Sequence, residues 1–280
     1  VRGNLCMFSY VGGKSRQAKW ISPFIPQTKR YVEVFGGAMW VYINGNIDCQ
    51  EAIYNDVNPF LVNVFDCFRF PDRMLDAMVK YEPKNKELFL SLLEEFKDPN
   101  RPVGWGFDEA AKYVYCITHS FSGLLAGYSD QSKQKHSKYV AVMNRLQKPE
   151  VRQKLEKMKA VNMSFDEILK KYDSSDTYFY LDPPYYGKEN YYKFHGFTKE
   201  HHEKLAYMLK NEVKAKWCLS YYYFDDLEKW FPKDEYVWEM KEYNRCASAK
   251  AGKSTLKTGK GEELLVMNYD INKIDEDFFE

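Results

Sequence analysis

Hydrophobic and polar positions along the chain predict two kinds of territory, strand-turn-helix blocks towards both ends and a longer helical stretch between them. Arg30-Tyr31-Val32-Glu33-Val34-Phe35 is a short strand candidate that runs into Gly36-Gly37 and then an apolar stretch from Ala38 to Ile43. The next strand, Ala52-Ile53-Tyr54-Asn55, ends at Asp56, and Asn58-Pro59 opens a helix through Phe60, Leu61, Val64 and Phe65. Together these form a β-α-β unit of the kind that builds a parallel sheet.

From about Cys67 to Lys159 the pattern is mainly helical, and no run reads as a central strand. Leu88 to Phe96 and Glu109 to His119 carry helical periodicity, separated by the breaker Asp98-Pro99-Asn100-Arg101-Pro102. Strand signals return at Ala160-Val161-Asn162-Met163, Tyr178 to Leu181, Lys216 to Tyr221, Tyr236 to Tyr243 and Glu263 to Tyr269. A helix from Lys199 to Asn211, with Thr198 as its N-cap, supports alternation. The expected architecture is an α/β core in two parts, 1–66 and 160–280, interrupted by a mainly helical insertion over 67–159.

At 280 residues and 45% hydrophobic content, the chain suffices for one large domain or two modest ones without disulfides or metals. The six cysteines include no Cys-x-x-Cys pair, which argues against a zinc site or a secreted disulfide framework and for a reducing cytoplasm. No segment has the ~18 uncharged apolar residues of a membrane span, and Val1 to Tyr10 lacks a signal peptide's apolar core; Met7 is a candidate native start. Net charge is only +1, so a polyanionic partner must be met locally. Residues 131–160, including Lys133, Lys135, Lys138 and Arg145, and residues 245–261, including Lys250 and Lys253, are the two basic stretches. The competing reading is a solvated helix face and a loop.

The run Thr177-Tyr178-Phe179-Tyr180-Leu181 would deliver Asp182-Pro183-Pro184-Tyr185 to the carboxyl edge of the sheet, where open α/β folds place ligands. An acid on two prolines with an aromatic beside it suits chemistry on a flat amine, and points to methylation of a nucleobase amino group. Such an amine is a poor nucleophile because its lone pair is delocalised into the ring. The Asp182 carboxylate and the Pro183 carbonyl would each take one N–H, while Tyr185 stacks on the ring. Proline removes two backbone donors and limits φ, which holds those acceptors still.

Gly36-Gly37 alone reads as an ordinary turn, but Asp56 follows Gly37 by 19 residues, close to the ~20-residue offset at which an acid meets ribose hydroxyls. The Gly-x-Gly-x-x-Gly fingerprint and a Walker loop are both missing from the sequence, so an adenosine without phosphates fits better, and S-adenosylmethionine is such a cofactor. Phe8-Ser9-Tyr10-Val11-Gly12-Gly13-Lys14 offers close backbone approach at Gly13 and an ammonium at Lys14 for the cofactor's carboxylate. A surface turn is the competing reading there.

Tyr10 to Lys14, Glu33 to Gly37, Asp56 and Asp182 to Tyr185 stand in the order found in the Dam-like DNA adenine methyltransferases, which the chain resembles over nearly its whole length. The resemblance implies a Rossmann-like methyltransferase core with an inserted, mainly helical target-recognition domain. It implies methyl transfer from S-adenosylmethionine to the exocyclic amine of a flipped adenine in double-stranded DNA, with Asp182, Pro183 and Tyr185 catalytic. The implied cofactor site takes Tyr10, Gly13 and Lys14 from the first motif, Glu33, Phe35, Gly36 and Gly37 from the second, then Asp56, with Ser164 and Phe165 at the adenine and Asp182 at the methyl. Departures are Val34 where the family usually has proline, Met39 where it has glycine, Ser164 where an acid is common, and Ser220-Tyr221 in place of Ser-Asn.

His119-Ser120-Phe121-Ser122-Gly123 is similar to the family's base-reaching segment, which makes Phe121 a candidate wedge with Ser122 beside it. Leu124 to Tyr128 holds no arginine, so recognition of GATC is not implied. Lys133, Lys135, Lys138, Arg145, Lys250 and Lys253 are the candidate phosphate contacts. His201-His202 reads as helix surface, and no metal is expected. The expected setting is the cytoplasm, at the nucleoid, with no membrane partner; a cognate restriction endonuclease and the oligomeric state are left open. Rival readings are a methyltransferase for adenine in RNA, for cytosine's amine, or a catalytically silent DNA-binding module of the same fold.

Overall fold

Each strand candidate pairs in the computed structural model, which describes residues 7–10, 12–14, 17–82, 84–98, 100–123, 125, 127–129, 131, 137–187, 196–244 and 260–274. The strands are β1 (Thr28–Glu33), β2 (Cys49–Asn55), β3 (Met158–Val161), β4 (Thr177–Leu181), β5 (Lys216–Tyr221), β6 (Val237–Asn244) and β7 (Lys260–Met267). They form one sheet in the order β3-β2-β1-β4-β5-β7-β6. The first five run parallel, with Val32 of β1 opposite Ile53 on one side and Phe179 on the other. β7 runs antiparallel to both β5 and β6.

β4 is an unbroken apolar run because both of its faces are covered, and all five of its residues are buried. Alternate side chains part to opposite faces. Tyr178 and Tyr180 join Tyr31 and Tyr54 in one apolar cluster, whereas Phe179 and Leu181 join Val32 and Ile53 in the other. On the tyrosine face the rings of Tyr31 and Tyr178 stack at 6.1 Å, and the Tyr178 and Tyr269 hydroxyls hydrogen-bond at 2.8 Å.

Helices cover both faces. On the tyrosine face lie α1 (Ala18–Ile21), α2 (Trp40–Asn44), α3 (Pro59–Phe68), α4 (Pro71–Val79), α5 (Lys86–Lys97), α6 (Phe107–His119), α7 (Lys138–Leu146) and α8 (Pro149–Glu156). On the other lie α9 (Phe165–Tyr172), α10 (Lys199–Asn211) and α11 (Asp225–Trp230). α3 begins where the Asn58 side chain accepts the Phe60 N–H at 3.0 Å, with Pro59 in the first turn where no donor is needed. α6 buries every position from Ala110 to His119 except Lys112 and serves as the central post of its layer, so its apolar pattern runs around the helix rather than along one stripe.

Between β2 and β3 the described secondary structure is helical apart from an isolated bridge between Ser120 and Tyr128. Its apolar side chains form one cluster with the tyrosine face of the sheet. The boundaries at 66/67 and 159/160 fall inside α3 and β3, because the buried stripe of α3 continues to Phe68 and Met158 already faces the core. The basic stretch also has an internal use. Lys154 donates to the carbonyls of Tyr42 and Gly45, each at 2.6 Å, where the last carbonyls of α2 lack helical partners. Lys157 donates to the Cys49 carbonyl at 3.0 Å, and Arg152 pairs with Asp72 at 2.7 Å.

β2 and β3 lie to one side of β1, and β4 and β5 to the other, so the strand order reverses between β1 and β4. Ligands of open α/β sheets bind at the carboxyl ends of the strands at such a switch. Glu33 ends β1 and Asp182 follows β4, which brings two acids to that point. Among the described residues no helix is long and apolar enough to cross a membrane.

Candidate active site

The turn after β1 is shaped by three tight contacts. A Cβ on Gly36 would lie 2.3 Å from the Tyr54 ring and 2.7 Å from the Asn55 carbonyl, so only glycine passes there. Gly37 has φ +47°, and its N–H donates to the Asp56 carboxylate at 2.8 Å while its carbonyl accepts from the Tyr54 hydroxyl at 2.9 Å. The other Asp56 oxygen accepts the Asn58 N–H at 2.8 Å. Asp56 therefore latches the glycine turn to the start of α3, with its remaining lone pairs facing the cleft it lines.

Asn55 is the second latch and is fully buried. Its side chain donates to the carbonyls of Val34 (2.8 Å) and Met163 (3.1 Å) and accepts the Met163 N–H at 3.0 Å, tying together the ends of β1, β2 and β3. Beyond β3, Ser164 caps α9 in a capping box with Glu167, so its hydroxyl serves the helix start. The family's acid at this position is replaced by a cap.

These latches wall an open cleft lined by Tyr10, Gly13, Lys14, Glu33, Phe35, Gly36, Gly37, Asp56 and Asp182, together with Trp40. A second hollow adjoins it, sharing Phe35 and Asp56 and adding Ser164, Phe165, Phe197 and His201. All the residues expected at a cofactor thus line one or other of two adjoining hollows. The Phe35 and Phe165 rings stack at 6.1 Å, which gives the junction an aromatic wall.

Electrostatics divide the acids. Burial pushes the Glu33 carboxyl up to about 8, opposed by the hydrogen bond from the Tyr31 hydroxyl at 3.1 Å and reinforced by Asp182. Burial also lifts Asp182 to about 6, opposed by the adjacent Lys14 ammonium and reinforced by Glu263. Its side chain remains 19% exposed and pairs with Lys14 at 2.9 Å. At neutral pH Glu33 is mainly neutral and Asp182 mainly ionised, so Asp182 is the stronger acceptor.

Tyr185 is buried, with its ring 4.1 Å from that of Tyr222 and its hydroxyl donating to Glu263 at 2.9 Å while accepting from Lys14. A planar guest reaches the Tyr185 ring only if Tyr222 yields. Among the described residues no group of His, Cys, Asp and Glu could hold a metal. His202, expected on a helix surface, is instead buried and hydrogen-bonded to the Tyr221 hydroxyl, because α10 turns that position towards β5.

Phe121 is half-exposed on a one-turn helix, Phe121–Gly123, that also carries Ser122. A Cβ on Gly123 would lie 2.3 Å from the Ser9 carbonyl, so this turn abuts the chain that leads to Tyr10. Lys138 opens α7, where its N–H donates to the Gln131 side chain at 2.7 Å. Arg145 donates to the Met7 carbonyl at 3.0 Å. Lys133, Lys135, Lys250 and Lys253 lie outside the described residues.

Sequence reasoning did not single out Asn55, Trp40 or Glu263, whereas Ser220 stood out only as a departure from the family pattern and Tyr222 only within the run Tyr221-Tyr222-Tyr223. For Glu263 the run gave no local signal, since an acid in the middle of a strand reads as a solvent-facing position. Trp40 and Asn55 carried none, since an apolar run and a strand end read as packing.

The family model for D12 class N6 adenine-specific DNA methyltransferases matches residues 10–245 of the chain. The retron Ec67 DNA adenine methylase of Escherichia coli is 27% identical over 214 residues, 73% of this chain and 72% of that protein. The DNA N-6-adenine-methyltransferase of Escherichia phage P1 is 27% identical over 121 residues, 42% of this chain and 15% of that protein.

Proposed function

The chain belongs to the D12 class of N6 adenine-specific DNA methyltransferases, and from that premise we propose that its donor is S-adenosylmethionine, bound in the cleft at the β1–β4 switch. The donor set supports this reading. Asp56 and Asp182 line the cleft against the single cation Lys14 among its lining residues, with the neutral Glu33 carboxyl beside them, a pattern that offers no surplus cation to phosphates but suits ribose hydroxyls and a sulfonium. Asp56 is the residue for the ribose, and the Phe35–Phe165 wall the surface for the adenine. The cofactor, when bound, supplies an electrophilic methyl group on its sulfonium.

The protein's own part is to hold the acceptor amine. We assign Asp182 and the Pro183 carbonyl as the two acceptors for the N6 hydrogens, which draws the nitrogen lone pair out of conjugation and aligns it. Ionised Asp182 also stabilises the positive charge that develops on nitrogen, an effect worth roughly 3–4 kcal/mol in comparable sites. A base in a duplex cannot reach a strand end in this way, so the adenine must be turned out of the stack, at a cost of about a few kcal/mol. The half-exposed Phe121, on a turn that abuts the Tyr10 segment, is the residue we assign to fill the vacated stack.

The observation that carries the reading is the juxtaposition of Asp182 with a carboxylate-lined cleft at the sheet's switch point. Incubation with methyl-labelled S-adenosylmethionine and duplex DNA is expected to label adenine N6. Label confined to cytosine, or found only with RNA, would sink it.

A further inference from the structure

Glu263 lies on β7, far along the chain from every motif that defines the site, yet its side chain is 1% exposed and faces Asp182's partners. One of its oxygens, Oε1, collects three donors: the Lys14 ammonium at 3.2 Å, the Tyr185 hydroxyl at 2.9 Å and the Ser220 hydroxyl. Lys14 in turn bridges Glu263 and Asp182 and donates to Tyr185. A buried carboxylate is costly unless its lone pairs are met by charged or strong donors, and three converging donors meet that requirement here. The same contacts fix the Tyr185 phenol at its tip and share the Lys14 ammonium between Asp182 and Glu263. Without Glu263, the Lys14 charge would fall on Asp182 with no second carboxylate to share it, competing with the substrate amine for that carboxylate's lone pairs.

We propose that Glu263 is a positioning residue for methyl transfer: anchored by Ser220, it holds Lys14 and Tyr185 so that Asp182 keeps a lone pair for the adenine amine. The proposal rests on the assignment of Asp182 as that acceptor. The charged and titratable groups that face Asp182 are Lys14 before α1, Tyr185 in its own loop, Glu263 on β7, Glu33 at the end of β1 and Tyr180 on β4. Glu263 is the group among them whose charge both raises the Asp182 carboxyl and binds its cation.

The test is a kinetic comparison of wild type with Glu263→Gln, which keeps shape and one acceptor but removes the charge, and with Glu263→Asp. For Glu263→Gln, kcat is expected to fall on the order of ten- to a hundredfold, while the dissociation constant for S-adenosylmethionine by calorimetry stays within about threefold. The acid limb of its kcat profile is expected to move to lower pH, since Lys14 then acts on Asp182 unopposed. Glu263→Asp should restore the position of that limb with only part of the rate. A folded Glu263→Gln protein with wild-type kcat and an unmoved acid limb would overturn the proposal. Should Glu263→Gln fail to fold, Ser220→Ala is decisive: a several-fold loss of kcat supports the anchoring, and wild-type kcat refutes it. Absence of adenine methylation by the wild type would instead refute the assignment of Asp182, so the two failures are distinguishable.

Discussion

Asp182 and Glu33 both sit at strand ends with burial lifting their carboxyls, yet they should answer to pH in different experiments. Asp182, assigned above as the acceptor, has its carboxyl raised to about 6, so kcat/KM is expected to fall about tenfold per unit below that pH and to level above it. Asp182→Ala should cost roughly a thousandfold or more in kcat with cofactor binding retained; full residual activity would remove Asp182 from the mechanism. Glu33 acts on stability. Its carboxyl is raised from 4.5 to about 8, so the folded state holds a proton that the unfolded chain gives up. Its stabilising contribution is fully present below about pH 4.5 and is lost as pH rises towards 8. Glu33→Gln is therefore expected to raise Tm relative to wild type by more at pH 8 than at pH 5, with a difference worth about a few kcal/mol. Melts of ligand-free protein at the two pH values check this, and an equal offset at both would contradict it.

At the scale of elements, what was legible in the sequence was periodicity and its punctuation. β5 and α10 have the expected limits because their ends are marked by a change of pattern and by Thr198. The helix after Gly36-Gly37 starts later than its apolar run, at Trp40, because Met39 stands at φ +51° where sequence reading assumed helix. Several residues of the cleft were legible as motifs because they end or follow a strand, as Glu33, Gly36, Gly37, Asp56 and Asp182 do. Glu263 was not, because it reaches the site through the antiparallel pairing of β7 with β5, a long-range register that local pattern does not encode. Charge clustering does not by itself assign a role, because a lysine's role depends on what its tip meets. Lys154 meets the carbonyls at the end of α2, so Lys154→Met is expected to destabilise the protein by about 1–3 kcal/mol, leaving those carbonyls without a donor. DNA affinity and its salt dependence should not change. A lower salt slope for the variant, measured by titration at several ionic strengths, would instead place Lys154 on phosphate.

Across the whole molecule the helical stretch between β2 and β3 and the tyrosine face of the sheet share one apolar cluster, and the N-terminal segment helps to close it. Met7 and Phe8 are buried; Phe8 packs between Phe65 and Phe68 at 5.9 and 6.4 Å, and the Met7 carbonyl receives Arg145 from α7. In the helical layer Tyr113 of α6 stacks on Phe60 of α3 at 5.3 Å, and its hydroxyl receives the Asn58 amide, one bond away from the Asp56 latch of the active site. A layer that shares its core with the sheet cannot lose its packing without exposing the sheet's tyrosines, so the two should unfold together. Scanning calorimetry of the ligand-free protein is expected to give one transition with matching calorimetric and van't Hoff enthalpies. Phe60→Ala should shift that transition down as a whole, by about 3–5 kcal/mol, without splitting it. An early transition confined to the helical layer would show a separable recognition unit.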